Sequence, residues 1–233
     1  MKKFVLAGKV LIGLSDKRDG DMKTDNYRDD ADKQKVKENR AKFFCELNLG
    51  TDDTTLVWVD YKRESFIEFR VADDSWRGAG MWPDEPKIAA DALITREKNL
   101  GLFLPLADCL GAVIFDPARE VLCVAHLGRH ATEQFGALGV VKFLREKFDS
   151  DPRDLRIWLS PAASAQNYPL NKFSDKGLRE VNVAQFVEAG VLGQNIFGAE
   201  IDTTTDPNYF SHSEALKTGE NLGKRFAIVA KTI

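Results

Sequence analysis

Long hydrophobic runs separated by turn residues dominate the middle of the chain. Residues 100–106, 112–115 and 121–125 are almost entirely apolar, and the turn Asp-Pro-Ala-Arg at 116–119 separates the last two. Short runs rich in Val, Leu and Ile and bounded by turn residues are typical of buried strands. The turn predicts that the second and third runs lie antiparallel.

Other segments carry a helical pattern. Apolar residues recur at three- and four-residue spacing from 132 to 148, which predicts an amphipathic helix, and helix-forming residues also fill 32–44 and 178–189. Further strands are predicted at 4–14, 54–61, 64–71, 89–95, 155–159 and 226–230. This mixture of strand and helix signals predicts an α+β fold, a single layered domain over residues 1–233 with mixed β-sheets covered by helices.

Composition narrows the class of protein. Of the 233 residues, 43% are hydrophobic and 30% are charged, which is typical of a soluble globular protein. The net charge of −3 does not favour binding to nucleic acid or to an anionic membrane. Lys9 interrupts the apolar N-terminus too early for a signal peptide, and three cysteines fit a reducing compartment. We therefore expect a cytoplasmic protein without nucleic-acid or membrane partners.

Candidate chemistry lies at the ends of the central strands. Cys109 follows the first apolar run and His126 ends the third. A thiolate and an imidazole on neighbouring strands form half of a zinc site, or the nucleophile and base of a hydrolase. Gly128, Arg129 and His130 then precede a helix, where anions bind readily. The alternative is a buried free cysteine and a hydrogen-bonded core histidine.

Four short motifs in this region carry a family resemblance. Asp-Ala-Leu-Ile-Thr at 91–95, Ala-Asp-Cys at 107–109, Asp-Pro at 116–117 and Ala-His-x-Gly at 125–128 resemble the YfiH-like family, long labelled polyphenol oxidase or laccase-domain proteins. The resemblance implies a YfiH-like fold and a zinc-dependent enzyme acting on purine nucleosides and phosphate. The oxidase label is not supported, because three histidines cannot furnish the many imidazole ligands of a multicopper centre.

The zinc ligands are implied by the same resemblance. Asp60 stands where the family has the first metal histidine, so the implied ligands are Asp60, Cys109 and His126. Carboxylate oxygen is a legitimate zinc ligand. The substitution leaves two other possibilities open: His130 supplies a third nitrogen, or the metal site has decayed.

The resemblance also implies the other members of the site. Asp91 and Arg129 join Cys109 and His126 as catalytic residues. The residues expected to bind nucleoside or phosphate lie in a polar loop, a helix, the Gly turn and a C-terminal segment that match the family motifs in part: Lys17, Arg18, Asn39, Arg40, His130, Ser211 and His212.

The residues and the resemblance together leave three functions open, and the first of them is the one that the resemblance implies. A zinc-assisted enzyme would act as a purine nucleoside phosphorylase, as an adenosine deaminase, or as both, on adenosine or inosine. A metal-free hydrolase would use Cys109 as nucleophile and His126 as base. A non-catalytic relative would bind a nucleoside or a protein partner, and the loss of the first metal histidine favours this alternative.

Overall fold

The buried strands pair into two mixed sheets in a computed structural model, which describes residues 1–82, 85, 87–198 and 200–233. The first sheet has the order β1-β2-β11-β6-β3 and the second has the order β10-β9-β7-β8-β5-β4. The strands of the first sheet are β1 (Lys2–Leu6), β2 (Val10–Leu14), β3 (Thr54–Leu56), β6 (Gly101–Leu106) and β11 (Phe226–Thr232). Those of the second are β4 (Phe69–Val71), β5 (Ala92–Thr95), β7 (Leu110–Asp116), β8 (Val121–Leu127), β9 (Arg156–Leu159) and β10 (Ile196–Phe197).

In the described residues, five α-helices cover the sheets. They are α1 (Asp30–Cys45), α2 (Arg129–Glu133), α3 (Gly136–Phe148), α4 (Leu178–Glu188) and α5 (His212–Thr218). Short 3₁₀ turns lie at Lys17–Asp19, Thr51–Asp53, Asp74–Trp76, Asn171–Phe173 and Gly193–Asn195. Within the part of the chain that the structure describes, no helix has the length and apolar character needed to cross a membrane.

Three buried clusters stack the elements into layers. One cluster fills the space between the sheets, for example Leu104 against Val124. A second cluster packs the outer face of the second sheet against α3 and α4, and a third packs the outer face of the first sheet against α1. The order of layers is therefore helix, sheet, sheet, helix, which confirms the predicted α+β class with mixed sheets.

The structure corrects four of the predicted elements. The strand expected over residues 4–14 is a hairpin, because Ala7 and Gly8 both adopt positive φ and form the turn between β1 and β2. The helix expected over 132–148 is divided into α2 and α3. Phe135 has a φ of 60° at the break and is half exposed rather than facing the sheet. The strands expected over 54–61 and 64–71 are reduced to β3 and β4, and the chain between them forms a loop.

The ends of four strands meet at one edge of the molecule. β7 and β8 pair antiparallel, as the turn predicted, with Gly111 opposite His126. The chain passes from the first sheet to the second through Ala107, Asp108 and Cys109, between β6 and β7. Phe226, at the start of β11, pairs with Leu106 at the end of β6. This geometry brings the residues that flank these strands to one place.

Candidate functional site

A cavity of about 330 Å³, called the strand-end cavity below, opens at this edge. All three histidines of the chain border it. Its polar lining is Asp108, Cys109, His126, Arg129, His130, His212 and Arg225, and its aromatic lining is Tyr61, Phe66 and Tyr168.

Cys109 and His126 converge in this cavity over Gly128. A Cβ atom placed on Gly128 would lie 2.9 Å from Cys109 Sγ and 2.7 Å from the His126 ring. These distances are shorter than ordinary van der Waals contacts. The absence of a side chain at 128 therefore leaves room for both groups to border the same small volume. The predicted approach of the thiol and the imidazole is present in the structure.

Tyr61 is the third group at this position. Its hydroxyl lies 3.5 Å from His126 Nε2, at the outer limit of hydrogen-bond distance. The Tyr61 ring stands edge-on to the His126 ring, at 6.2 Å between centroids and 87° between planes. Although the residue is 63% exposed, its hydroxyl end is shielded, and this burial together with the nearby Cys109 raises the pKa of the phenol.

Burial keeps the central pair uncharged. Loss of solvent, with the positive charge of Arg225 and then of His130, lowers the pKa of His126 to about 4. Burial, with the carboxylate of Asp108, raises the pKa of Cys109 to about 11. Nucleophilic cysteines need a depressed pKa and a base that can accept their proton. A protonated thiol beside a weakly basic imidazole does not support the metal-free Cys–His hydrolase.

Two arginines give the cavity positive charge. The Arg129 guanidinium lies 4.4 Å from the centre of the Tyr168 ring and its Nε donates to the Tyr168 hydroxyl at 3.3 Å. Arg225 precedes β11, and its main-chain N–H donates to the Asp21 carboxylate at 3.0 Å. Both guanidinium charges act to lower the pKa of Cys109, against burial and Asp108. In the described residues neither guanidinium forms a salt bridge, so both charges are open to an anion.

Asp108 fixes the elements around the cavity. It has a φ of 76°, a left-handed conformation that is uncommon outside glycine and persists where the surroundings hold it. Its carboxylate accepts from the Thr203 hydroxyl at 2.8 Å and from the Ser213 main-chain N–H at 2.7 Å. The second bond ties the start of α5 to the β6–β7 turn. His212 is the first residue of α5, so the hydrogen bonds of Asp108 fix the position of His212 relative to Cys109.

Several predicted substrate-binding residues lie elsewhere. Lys17, Arg18 and Asn39 border a second cavity of about 700 Å³ beside α1, called the helix-side cavity below. Arg40 borders neither cavity, because it is fully buried and donates to the main-chain carbonyls of Met81, Met22 and Lys23. This corrects the prediction for Arg40, whose guanidinium stabilises the core and is inaccessible to substrate.

Asp91 and Ser211 support the site from behind the lining. The Asp91 carboxylate is buried, accepts from Glu68 N at 2.9 Å and forms an ion pair with Arg63 at 3.4 Å. Its carbonyl accepts from the His126 main-chain N–H at 2.8 Å. Ser211 caps α5 by accepting from Glu214 N at 3.1 Å. Neither borders the strand-end cavity, so the geometry gives both a positioning role rather than the predicted direct one.

The implied zinc ligands do not assemble. Structural and catalytic zinc sites use at least three protein donors. The Asp60 carboxylate caps a turn by accepting from Lys62 N at 3.0 Å and does not border the cavity. Among the residues that the structure describes, no group of three or more His, Cys, Asp or Glu side chains is arranged to hold a metal ion. Of the three implied ligands, Cys109 and His126 line the cavity and Asp60 does not.

Five polar or aromatic lining residues were not predicted: Asp108, Tyr61, Phe66, Tyr168 and Arg225. Tyr61 directly follows Asp60, but no periodic signal in a loop shows which of two neighbouring residues turns inward. Phe66 lies in the same loop and stacks on His130 at 4.6 Å. The motifs around Tyr168 and Arg225 resemble family segments, so the signal for these two was present in the sequence. Their approach to Cys109 depends on the pairing of β11 with β6, which the sequence does not encode locally.

Comparisons with known proteins agree with this architecture. Residues 12–176 match the family model described as multi-copper polyphenol oxidoreductase laccase. Purine nucleoside phosphorylase YlmD of Bacillus subtilis is 29% identical over 218 residues, covering 83% of this chain and 76% of that protein.

Two solved structures share the fold. The hypothetical protein YfiH of Bacillus licheniformis superposes with a TM-score of 0.82 at 23% identity, over 95% of this chain and 92% of that one. YlmD of Geobacillus stearothermophilus also gives 0.82, at 19% identity, over 96% of this chain and 92% of that one. The family model covers more than half of the chain, and the layered fold is the same, so the chain belongs to the YfiH-like family of multi-copper polyphenol oxidoreductase laccase domains.

Proposed function

We propose that the protein is a purine nucleoside phosphorylase and that the strand-end cavity is its active site. One observation carries the proposal. The cavity places two arginines that lack carboxylate partners next to an aromatic wall. Guanidinium groups bind phosphate oxygens strongly, and aromatic rings stack on the faces of bases. The names of curated relatives, purine nucleoside phosphorylases at 23–29% identity, support the same reaction class.

The reaction exchanges one bond at the ribose anomeric carbon. A phosphate oxygen of HPO₄²⁻ forms a bond to C1′, and the C1′–N9 bond of the nucleoside breaks with its electron pair moving to the purine. The proton of HPO₄²⁻ ends on a purine nitrogen. The products are ribose 1-phosphate and the free base, and atoms and charge balance without a redox partner.

The lining residues divide between the two halves of the substrate. Arg129 and Arg225 hold the phosphate dianion, and a buried charge-assisted contact of this kind orients the attacking oxygen. Tyr168 and Phe66 flank the purine. His130 and His212, both exposed at the mouth, provide hydrogen bonds to ribose or phosphate oxygens.

The direct test is phosphate-dependent release of base. Purified protein is incubated with inosine, adenosine or guanosine, with and without phosphate, and free base and ribose 1-phosphate are separated by chromatography. We expect equal amounts of the two products and no release without phosphate. Release that is independent of phosphate, or no release from any of the three nucleosides, would overturn the proposal. Binding of nucleoside without turnover would instead support the non-catalytic alternative.

An arginine variant locates the phosphate. Arg129→Gln removes one guanidinium from the strand-end cavity, and we expect the KM for phosphate to rise by about tenfold, as for a lost charge-assisted contact. Arg119→Gln is the matched control, because Arg119 lies in the β7–β8 turn at the opposite end of these strands and pairs with Asp149. An unchanged KM in the Arg129 variant would contradict the assignment.

Deamination of adenosine and zinc dependence are finer predictions that the described residues do not favour. Hydrolytic deamination needs an activated water, and zinc supplies one when it is held by three protein ligands. Ammonia release from adenosine, measured in the same incubations, tests this reaction separately from phosphorolysis.

A further inference from the structure

We propose that Gln134, with its neighbours Glu133 and Phe135, positions two aromatic walls of the strand-end cavity around the purine. These three residues are called the α2–α3 corner below. The proposal rests on the phosphorolysis proposed above. The corner residues are positioning residues rather than catalytic ones, because none of the three borders the cavity. The basis of the proposal is that three consecutive side chains contact both chain segments that supply aromatic rings to the cavity.

The corner forms because the backbone turns at Phe135. The φ of this residue, 60°, lies in the left-handed region, which is unfavourable for a bulky side chain. Such conformations persist where surrounding contacts hold them, and they concentrate at functional sites. The left-handed residue ends α2 after five residues and separates it from α3. The break therefore places residues 133–135 in a turn, where they can contact elements outside the helix layer.

Gln134 holds the loop that forms the first wall. Its Oε1 accepts from the Phe66 main-chain N–H and its Nε2 donates to the Glu64 carbonyl, each at 2.8 Å. Both ends of one side-chain amide are therefore used to fix the loop between β3 and β4. The Phe66 ring stacks on the His130 ring, at 4.6 Å between centroids and 25° between planes. The loop is thus held against α2, the helix that also carries Arg129.

Glu133 and Phe135 hold the segment that forms the second wall. The Glu133 carboxylate pairs with Lys172 Nζ at 2.9 Å. The Phe135 ring stands edge-on to the Phe173 ring, at 6.2 Å between centroids and 82° between planes. Both partners lie in the 3₁₀ turn that follows Tyr168, whose ring borders the cavity. One turn of chain therefore contacts both segments that carry the rings assigned to the purine.

The corner should affect the base and not the phosphate. Stacking on a base depends on where the aromatic rings lie, and small displacements of binding groups are costly. The two guanidinium groups assigned to phosphate come from other places, since Arg129 begins α2 and Arg225 precedes β11. Neither depends on the hydrogen bonds of Gln134. Loss of these bonds should therefore weaken nucleoside binding and leave phosphate binding intact.

Gln134→Leu tests the proposal, because leucine has a similar volume and cannot form either hydrogen bond. We expect the KM for inosine to rise about tenfold and the KM for phosphate to change by less than about twofold. Gln34→Leu is the matched control, since Gln34 is exposed on α1 and bonds with Glu38 at 3.4 Å. Both KM values of the control should equal those of the wild type. An unchanged KM for inosine in the Gln134 variant, or equal rises in both KM values, would overturn the positioning role.

Gln134→Glu is a second variant of the same residue. Its carboxylate still accepts from the Phe66 main-chain N–H but cannot donate to the Glu64 carbonyl. We expect the KM for inosine to rise about threefold, less than in the leucine variant. Far-UV circular dichroism and the melting temperature establish that each variant is folded, and the glutamate variant decides the question if the leucine variant does not fold.

A second measurement needs no turnover. Hydrogen exchange of residues 64–68, followed by mass spectrometry of peptic peptides, reports how firmly the loop is held. We expect exchange at the Phe66 amide to be about tenfold faster in Gln134→Leu and unchanged in Gln34→Leu. Calorimetric titration with inosine alone should give a Kd about tenfold higher in Gln134→Leu. Faster exchange with an unchanged Kd would overturn the proposal, because the loop would then be held without effect on the base.

These outcomes separate the positioning role from the reaction. A wild-type protein that binds inosine without cleaving it would refute the phosphorylase, and a weaker Kd in Gln134→Leu would still support the positioning role. Phosphate-dependent cleavage with the same KM for inosine in both Gln134 variants would refute the positioning role alone. No binding of inosine by the wild type would overturn both.

Discussion

The strand-end cavity and the helix-side cavity differ in how their charges are arranged. The helix-side cavity is the larger, about 700 Å³ against about 330 Å³, and many charged residues border it. Most of these charges neutralise one another: the N-terminal ammonium pairs with Asp19 at 2.9 Å and Arg18 pairs with Asp16 at 2.6 Å. In the strand-end cavity Arg129 and Arg225 have no carboxylate partner in the described chain.

We infer from this difference that uncompensated charge, rather than volume, distinguishes the proposed binding site. An ion pair already satisfied within the protein gains little from a ligand, whereas an unpaired guanidinium facing a cavity gains a strong contact. The guanidinium of Arg18, a predicted phosphate ligand, is therefore already satisfied by Asp16, whereas the Lys17 ammonium lies over the Phe210 ring. The comparison makes four predictions, from the largest expected effect to the smallest.

Gly128→Ala should abolish most activity. Gly128 has a φ of −76°, which any residue adopts, so the added methyl group strains no backbone. It would instead displace the Cys109 thiol and the His126 ring, which lie 2.9 and 2.7 Å from the Cβ position. We expect kcat/KM to fall by about 10²-fold, as for small displacements of reacting groups. Gly193→Ala, where a Cβ has open space, is the control for steady-state kinetics. Wild-type activity of the Gly128 variant would contradict the close approach of Cys109 and His126 beside Gly128.

Arg63→Met should weaken catalysis by loosening the loop between β3 and β4, which carries Tyr61. The variant removes the cation between Asp91 and Glu68 but leaves every residue that borders the cavity. We expect kcat to fall by about tenfold with an unchanged KM for phosphate. Arg70→Met is the control, because Arg70 also pairs with Glu68 but is exposed on β4. If kcat falls as much in the Arg70 variant as in the Arg63 variant, the effect is not specific to the ion pair between Arg63 and Asp91.

The ion pairs of the helix-side cavity should affect stability instead. The Lys23 ammonium, which donates to Asp32 at 2.5 Å, lowers the pKa of Asp32 to about 2, below the ordinary value of 3.8. Because the folded pKa is depressed, this stabilisation is present above pH 4 and is lost as the pH falls towards 2. We expect Asp32→Asn to lower the melting temperature by about 2 °C at pH 6 and by less at pH 2.5.

Calorimetry at the two pH values measures that difference, with Asp52→Asn, at an exposed carboxylate, as the control. An equal effect of Asp32→Asn at both pH values would show that the pair with Lys23 contributes nothing.

Lys17→Gln should have the smallest effect. Lys17 lies 5.8 Å from the centre of the Phe210 ring at the border of the helix-side cavity, away from Cys109 and His126. We expect the KM for phosphate to change by less than about twofold. A tenfold rise would show that phosphate binds beside α1 and would reverse the comparison of the two cavities.

The sequence predicts well what local patterns determine. The apolar runs locate β6, β7 and β8, and the turn at 116–119 correctly predicts the pairing that brings Cys109 and His126 together. Local patterns do not predict a residue whose backbone conformation interrupts a helix. The apolar spacing that predicts one helix gives no sign of the left-handed residue Phe135, which divides α2 from α3.

Long-range pairing limits the prediction of the site. Arg225 reaches the cavity because β11 pairs with β6 across more than a hundred residues, and no local signal specifies that partner. Arg40 lies in a motif that resembles the family's, yet its burial against main-chain carbonyls becomes visible only in the folded structure. The residue types predict which chemical groups are present, and the fold determines which of these groups lie close together.

A crystal structure with phosphate and a non-cleavable inosine analogue tests the assigned site most directly. We predict phosphate density against Arg129 and Arg225, and the purine ring beside Tyr168. Phosphate and nucleoside bound instead among Lys17, Arg18 and Asn39 would contradict the assignment of the strand-end cavity as the active site.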